Sequence, residues 1–331
     1  MGNALFAAGV VAVLETKLLT REKIKTIAEA ETFEDSIKLL YEAGFGRAKS
    51  IEELKKFENA LRAETARAVG DLKDLCADER AAEALLLPLD YHNFKTLLKA
   101  KATDTPYQKI EGVLYSGGVT DVNRLQMELF EGGGDLRPMM LTALQKITES
   151  GGLKDPKVID TEADLALYAD IAALLPKIRS KTVVAYYRTL FDFVNISTLI
   201  RNKVTGARDY GAQFIGGGLL PRELFTEAAQ ETADLAAFFK ALKDTDYRQA
   251  AETAEASMKT HGNLLDYERY YQNLLFAAIC GKKDETQTIN PVLYYFFAKK
   301  TEIDNIRLIL TCKKNRVDKA MIYQRLREQY A

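Results

Sequence analysis

An all-α fold is what this sequence predicts, on three observations: helix-start signals recur along it, strand patterns are scarce, and one helical pattern returns three times. The clearest start is Ser50-Ile51-Glu52-Glu53, where a hydroxyl and a carboxylate three residues apart cap each other's free amides. Thr32 before Asp35 and Thr161 before Asp164 are looser acidic forms of the same signal. Apolar residues at helical spacing follow, as at Ile37, Leu40 and Tyr41.

Strands need apolar and polar residues in alternation between tight turns, and no stretch keeps that pattern for long. Glycines at 44 and 46, 117–118, 132–134, 151–152, 216–218 and 281 break the helical pattern, because glycine accepts the positive φ that ends helices. They read as turns between helices. The prolines fall mostly near such breaks or at first-turn positions, where a missing amide costs little. Forty-six basic residues balance forty-seven acidic ones for a net charge of -1, so the chain has no overall field for nucleic acid or an anionic membrane. Cys76, Cys280 and Cys312 form no CxxC pair and fit a reducing cytosol. The apolar start, Ala4 to Leu14, lacks a basic leader and runs into Glu15-Thr16-Lys17, so a first core helix is expected there and not a signal peptide. No uncharged apolar run is long enough for a membrane span, which needs ~18 residues or more.

The repeat is the most informative feature. Residues 90–101, 192–203 and 302–313 align without gaps. They place an acid (Asp90, Asp192, Glu302), an asparagine three later (Asn93, Asn195, Asn305), apolar residues one, four and five beyond it, and a lysine (Lys101, Lys203, Lys313) eight beyond it. At 100° per residue all fall in one sector of a helix. Acid and lysine lie about 16 Å apart along the axis, too far to pair, so each needs a partner on another element. An asparagine on a largely buried face must have its donors and acceptors met, and free groups at the end of an adjacent helix are the nearest supply. The aromatic groups Tyr186-Tyr187 and Tyr294-Tyr295-Phe296-Phe297 precede the second and third copies as expected core anchors. The first two copies lead into polar stretches ending at Gly118 and Gly218; the third has only Lys314-Asn315-Arg316 before its next helix. Three similar lobes are expected, at 1–118, 119–218 and 219–331.

These helices, the segment Ala298–Leu310 and the opening Glu15–Leu19 resemble the C subunit of bacterial and archaeal V/A-type rotary ATPases, relative of the eukaryotic d subunit, across nearly the whole chain. The resemblance implies a funnel of three helical lobes with pseudo-threefold symmetry, standing on the cytoplasmic end of the membrane rotor ring of proteolipid subunits. A central shaft of D and F subunits would plug into it, so the protein would pass torque between ATP hydrolysis or synthesis and H+ or Na+ transport. It implies a non-catalytic, cytoplasmic, peripheral subunit without a cofactor.

Residues that could carry chemistry have plainer readings beside them. His92 and His261 are the only histidines and show no metal-ligand spacing, so structural roles are expected. Gly216–Gly218 lacks the Gly-Lys-[Ser/Thr] of a phosphate loop and reads as a turn, as does Gly132–Gly134 before Asp135. Glu52-Glu53, and Asp160 with Glu162, are expected at helix starts, where acids favour the dipole. Lys299, Lys300, Lys313, Lys314 and Arg316 are candidates to meet acidic partners or lipid headgroups, against a solvated face as the default. Tyr267, Tyr270 and Tyr271 suit core or interface equally. Two rivals stand beside the rotor reading: an adaptor or scaffold of an unrelated assembly, whose short repeat period the spacings of 102 and 110 residues disfavour, and a helical enzyme, which would need a titratable cluster.

Overall fold

A computed structural model describes residues 2–132, 136–206, 210–230 and 232–328. Helices account for the regular structure of these residues, and no strand occurs among them. The starts read from the sequence hold at Thr32 and Ser50, whose hydroxyls accept from the amides of Asp35 and Glu53. Thr161 does not start a helix. It lies inside Pro156–Leu174, which begins earlier because Asp155 accepts from the Lys157 amide and Pro156 takes the first position. Asp160 and Glu162 are therefore not at a helix start either, and reach Lys99 at 2.6 Å and Lys146 at 3.7 Å.

Pro138, Pro156 and Pro291 open helices, as expected, but Pro88 sits inside Glu79–Ala102. The helix runs on through it at the cost of one backbone bond. Left-handed backbone occurs at Gly44, Gly46, Gly117, Gly151 and Gly217, where turns were read. The glycines at 133 and 134 lie outside the described residues, with Asp135.

The chain forms two compact units. Residues 1–180 and 282–331 make one, and residues 181–281 the other. In the first, the helix Asn290–Lys314 packs on Phe57–Leu75, on Gly2–Glu15 and on the short helices Arg21–Glu29 and Phe33–Glu42. Its core there includes Ile27, Ile37, Leu40, Leu61, Ile306 and Ile309. The helix Glu79–Ala102 packs on Pro156–Leu174 and on Val122–Glu131. The first helix, Gly2–Glu15, buries Ala7 and Val11 but leaves Leu5, Phe6 and Val13 more than half exposed, so it is only partly a core helix.

The second unit is built on Lys181–Thr205, which packs on Arg222–Ala229 and Leu265–Cys280. Its core gathers Phe193, Phe225, Phe238, Tyr247 and Tyr267 with Ala250, Ala251 and Ala254. Tyr267 is fully buried and Tyr271 stacks on Phe193 at 5.1 Å, which places these two tyrosines in the core.

Candidate functional site

The acids and asparagines that recur in the sequence lie inside the fold, each bonded to backbone of another segment. Asp90, Asn93, Asp192, Asn195, Glu302 and Asn305 are all buried, with relative exposures of 0–1%. A buried amide side chain costs stability unless its donors and acceptor are satisfied. Asn93 meets this by pairing with a single backbone residue: its amide donates to the Tyr115 carbonyl and its oxygen accepts from the Tyr115 N–H, both at 2.8 Å. Asn195 does the same with Ile215 at 2.8 and 2.9 Å, and Asn305 with Arg327 at 3.1 and 3.0 Å. The partner each time is an extended strap just beyond a short helix, not the helix end itself. The short helices are Tyr107–Ile110 with the turn Glu111–Val113, then Tyr210–Gln213, then Lys319–Arg325.

The acid and the lysine act on a second element. Asp90 accepts from the Val119 and Thr120 amides at 2.9 Å each, at the start of the helix Val122–Glu131. Lys101 donates to the Leu129 carbonyl at 2.6 Å, in the last turn of that helix. A ten-residue helix is about 15 Å long, which matches the span from acid to lysine. The motif helix thus lies parallel to its neighbour and satisfies loose groups at both ends, with charges that suit the neighbour's dipole. Asp192 and Lys203 clamp Arg222–Ala229 in the same way. The carboxylate accepts from the Leu219 and Leu220 amides, and the ammonium donates to the carbonyls of Gln230 and Ala233.

Close approach of strap and carboxylate depends on glycine. A Cβ on Gly118 would lie 1.7 Å from Asp90 Oδ1, and one on Gly218 2.1 Å from Asp192 Oδ1. The third copy has Leu18 at this place, and its acid is Glu302, one methylene longer, which accepts from the Leu19 amide at 2.5 Å. Lys313 completes the clamp on the Ala30 carbonyl, at the end of Arg21–Glu29. The polar loop that the sequence lacked after this copy is therefore present in two pieces, one from each end of the chain.

Further groups reinforce the clamps. The Tyr247 hydroxyl donates to Asp192 at 2.6 Å, and the Tyr91 hydroxyl to Asp170 at 2.7 Å, where Arg137 also bonds Asp170 and Glu83. Burial raises the Asp90 carboxyl to about 6, against the lowering effect of its amide partners, and raises Asp192 for the same reason.

Lys299 is buried between Glu64 and Glu302, at 2.6 Å from each, and Lys313 is spent on Ala30. This corrects the expectation that these two are free to meet a partner: an ammonium inside the fold needs its carboxylates or carbonyls there. Lys300, Lys314 and Arg316 remain at the surface, Lys300 near Asp304 at 3.5 Å and Lys314 over the Phe57 ring. His92 contacts the Val113 carbonyl at 3.1 Å and the Tyr115 ring, and His261 lies 3.4 Å from Asp266. Among the described residues no group of His, Cys, Asp and Glu is placed to hold a metal ion, and no helix is long and apolar enough to cross a membrane.

The sequence marked the stretches ending at Gly118 and Gly218 and the opening Glu15–Leu19, but not that Tyr115, Ile215 and Leu19 would be the bonding partners, and it did not mark Arg327 or Glu64. The signal for part of this set was present: Leu18-Leu19, Gly118-Val119 and Gly218-Leu219 recur at intervals of one hundred residues.

A family model described as "ATP synthase (C/AC39) subunit" matches residues 7–325. The chain belongs to that family. Members of it that the chain resembles include the C subunit of the A-type ATP synthase of Methanothermobacter thermautotrophicus, 24% identical over 68% of this chain and 62% of that protein. The corresponding A-type C subunit of Haloferax volcanii is 25% identical over 76% of this chain and 75% of its own length. The V-type ATP synthase of Thermus thermophilus has a C subunit 36% identical over a shorter stretch, 24% of this chain and 25% of that protein. The match thus spans less than two thirds of the Methanothermobacter relative.

Proposed function

We propose that this protein is the non-catalytic central-stalk subunit of a V/A-type rotary ATPase, linking the D/F shaft to the proteolipid rotor ring on the cytoplasmic side of the membrane. In this reading three similar lobes, at 1–118, 119–218 and 219–331, form a funnel with internal pseudo-threefold symmetry, and torque passes through it between ATP turnover and H+ or Na+ transport. The observation that carries it is the family match over residues 7–325. The three clamps support it physically. A part that passes torque must resist shear, and helices tied at both ends and at the strap by buried, satisfied polar groups are stiff where apolar contacts alone would slide.

The test is removal of this protein from the assembled complex. ATP hydrolysis by the catalytic head is expected to persist while ATP-driven ion transport is lost, and adding the protein back is expected to restore coupling. Undiminished transport without it would overturn the proposal.

A further inference from the structure

We infer that the first strap, residues 113–120, is a pH-responsive joint, gripped by His92 at one end and by Asp90 at the other, and that falling pH moves the grip from the first to the second. Both side chains leave the helix Glu79–Ala102 beside Asn93, and each holds a different part of the strap. A carbonyl can only accept, so the neutral His92 ring carries its proton on Nε2 and donates to Val113 at 3.1 Å. The same ring meets the Tyr115 ring edge-on, 4.9 Å between centroids.

The charged groups around His92 are cations: Lys95 and Lys99 on its own helix, and Arg307 on Asn290–Lys314. The nearby carboxylates are taken by those cations, Asp164 by Lys95, Asp160 by Lys99, and Glu58 and Asp304 by Arg307. A second ring proton therefore adds a charge to a partly buried place already lined with positive ones. Burial above all, and then these cations, hold the ring below its ordinary range, although the Val113 bond favours the charged form.

Asp90 has the opposite need. It is buried and accepts from the Val119 and Thr120 amides at 2.9 Å each. The cations nearest it are spent elsewhere: Arg137 on Asp170 and Glu83, and Lys73 of Phe57–Leu75 on the Gly118 carbonyl at 2.9 Å. The neighbouring Tyr91 hydroxyl donates to Asp170. A proton on Asp90 thus removes a buried charge that no cation bonds among the described residues, and burial raises its carboxyl to about 6. A strap that opens exposes both groups to water, where a histidine titrates near ~6.5 and an aspartate near ~3.9. Over the window from about pH 7 to about pH 5, acid favours the open form at His92 and the closed form at Asp90. The first half of the strap loosens as the second half tightens.

Hydrogen exchange of the full chain at about pH 7 and about pH 5.5, read as protection relative to an unstructured peptide at the same pH, tests this. Protection of the Tyr115 amide is expected to fall by up to about eightfold on acidification, and that of Val119 and Thr120 to rise by about fourfold. Val194 stands at the place of His92 in the second copy, so the Ile215 amide is expected to lose no protection. In His92→Gln, whose side-chain amide donates to the same carbonyl at either pH, the fall at Tyr115 is expected to vanish while the rise at Val119 remains. Tyr115 protection that holds or rises in the native chain overturns the inference, whether or not the variant folds. So does a Val119 amide that loosens together with Tyr115, or a fall at Tyr115 that persists undiminished in folded His92→Gln.

Discussion

Asn195 shows how much one side chain can settle: its amide replaces a backbone partner for the strap at Ile215, so a helix and an extended segment join as two strands would. Gly218 and Asp192 show the steric side of the same joint. Replacing Gly218 with alanine places a methyl on the carboxylate, and a loss of about 2 kcal/mol of stability is expected from overpacking. Gly216→Ala, where nothing lies near the added carbon, is the control and is expected to change little; denaturant unfolding of both reads the difference. Asp90 carries a pH signature. Its carboxyl titrates near 6 when folded, against ~3.9 in an unfolded chain, so between these values the native state holds a proton that the unfolded state has released. Stability from this group therefore falls as pH rises from about 4 to about 6, by about 3 kcal/mol in all, and stays lost above that. Carbon NMR of the Asp90 carboxyl is expected to show its midpoint near 6; a midpoint near 4 would contradict the burial argument.

At the level of elements, the motif helix works as a ruler. The eleven-residue interval from Asp192 to Lys203 brackets Arg222–Ala229, and Lys203 bonds to carbonyls just past the far end of that helix. Lys203→Met keeps the apolar stem but removes the ammonium from the Gln230 and Ala233 carbonyls, of which Gln230 still accepts from the Ala233 N–H. A cost of about 1 kcal/mol is expected, with faster hydrogen exchange in the last turn of Arg222–Ala229 and unchanged protection at Ile215. Uniform loss of protection through residues 181–281 would show that the lysine serves the whole unit instead of one helix end. The element scale also shows where sequence signals misled. Thr161 has a start signal that Asp155 and Pro156 pre-empt nearly two turns earlier, and Pro88 is carried by a helix whose buried face includes Leu85, Leu86, Leu87, Tyr91 and Phe94. Local preference yields where tertiary burial on either side is large.

For the molecule as a whole, residues 181–281 contain a motif helix, its strap, the helix it clamps and a core of their own. As an isolated fragment of 101 residues, this segment is expected to fold, with a helical spectrum, a cooperative unfolding transition and a protected Ile215 amide. A random-coil spectrum would refute its independence. The remaining unit cannot be cut the same way, because the clamp on Asn290–Lys314 draws on residues near both ends of the chain.

The sequence by itself determined the helical class, most helix starts and turns, the three equivalent helices and the family, because helical periodicity, caps and a gapless repeat are local and survive in a linear reading. It also marked Asp90, Asn93 and Lys101 and their counterparts as needing partners, since a polar group on an apolar face announces its own deficit. The identity of those partners was decided only by the tertiary structure. Leu19 meets Glu302 across 283 residues, and Lys299 is claimed by Glu64, because backbone amides and buried counter-ions carry no signature until folding brings them within bonding distance.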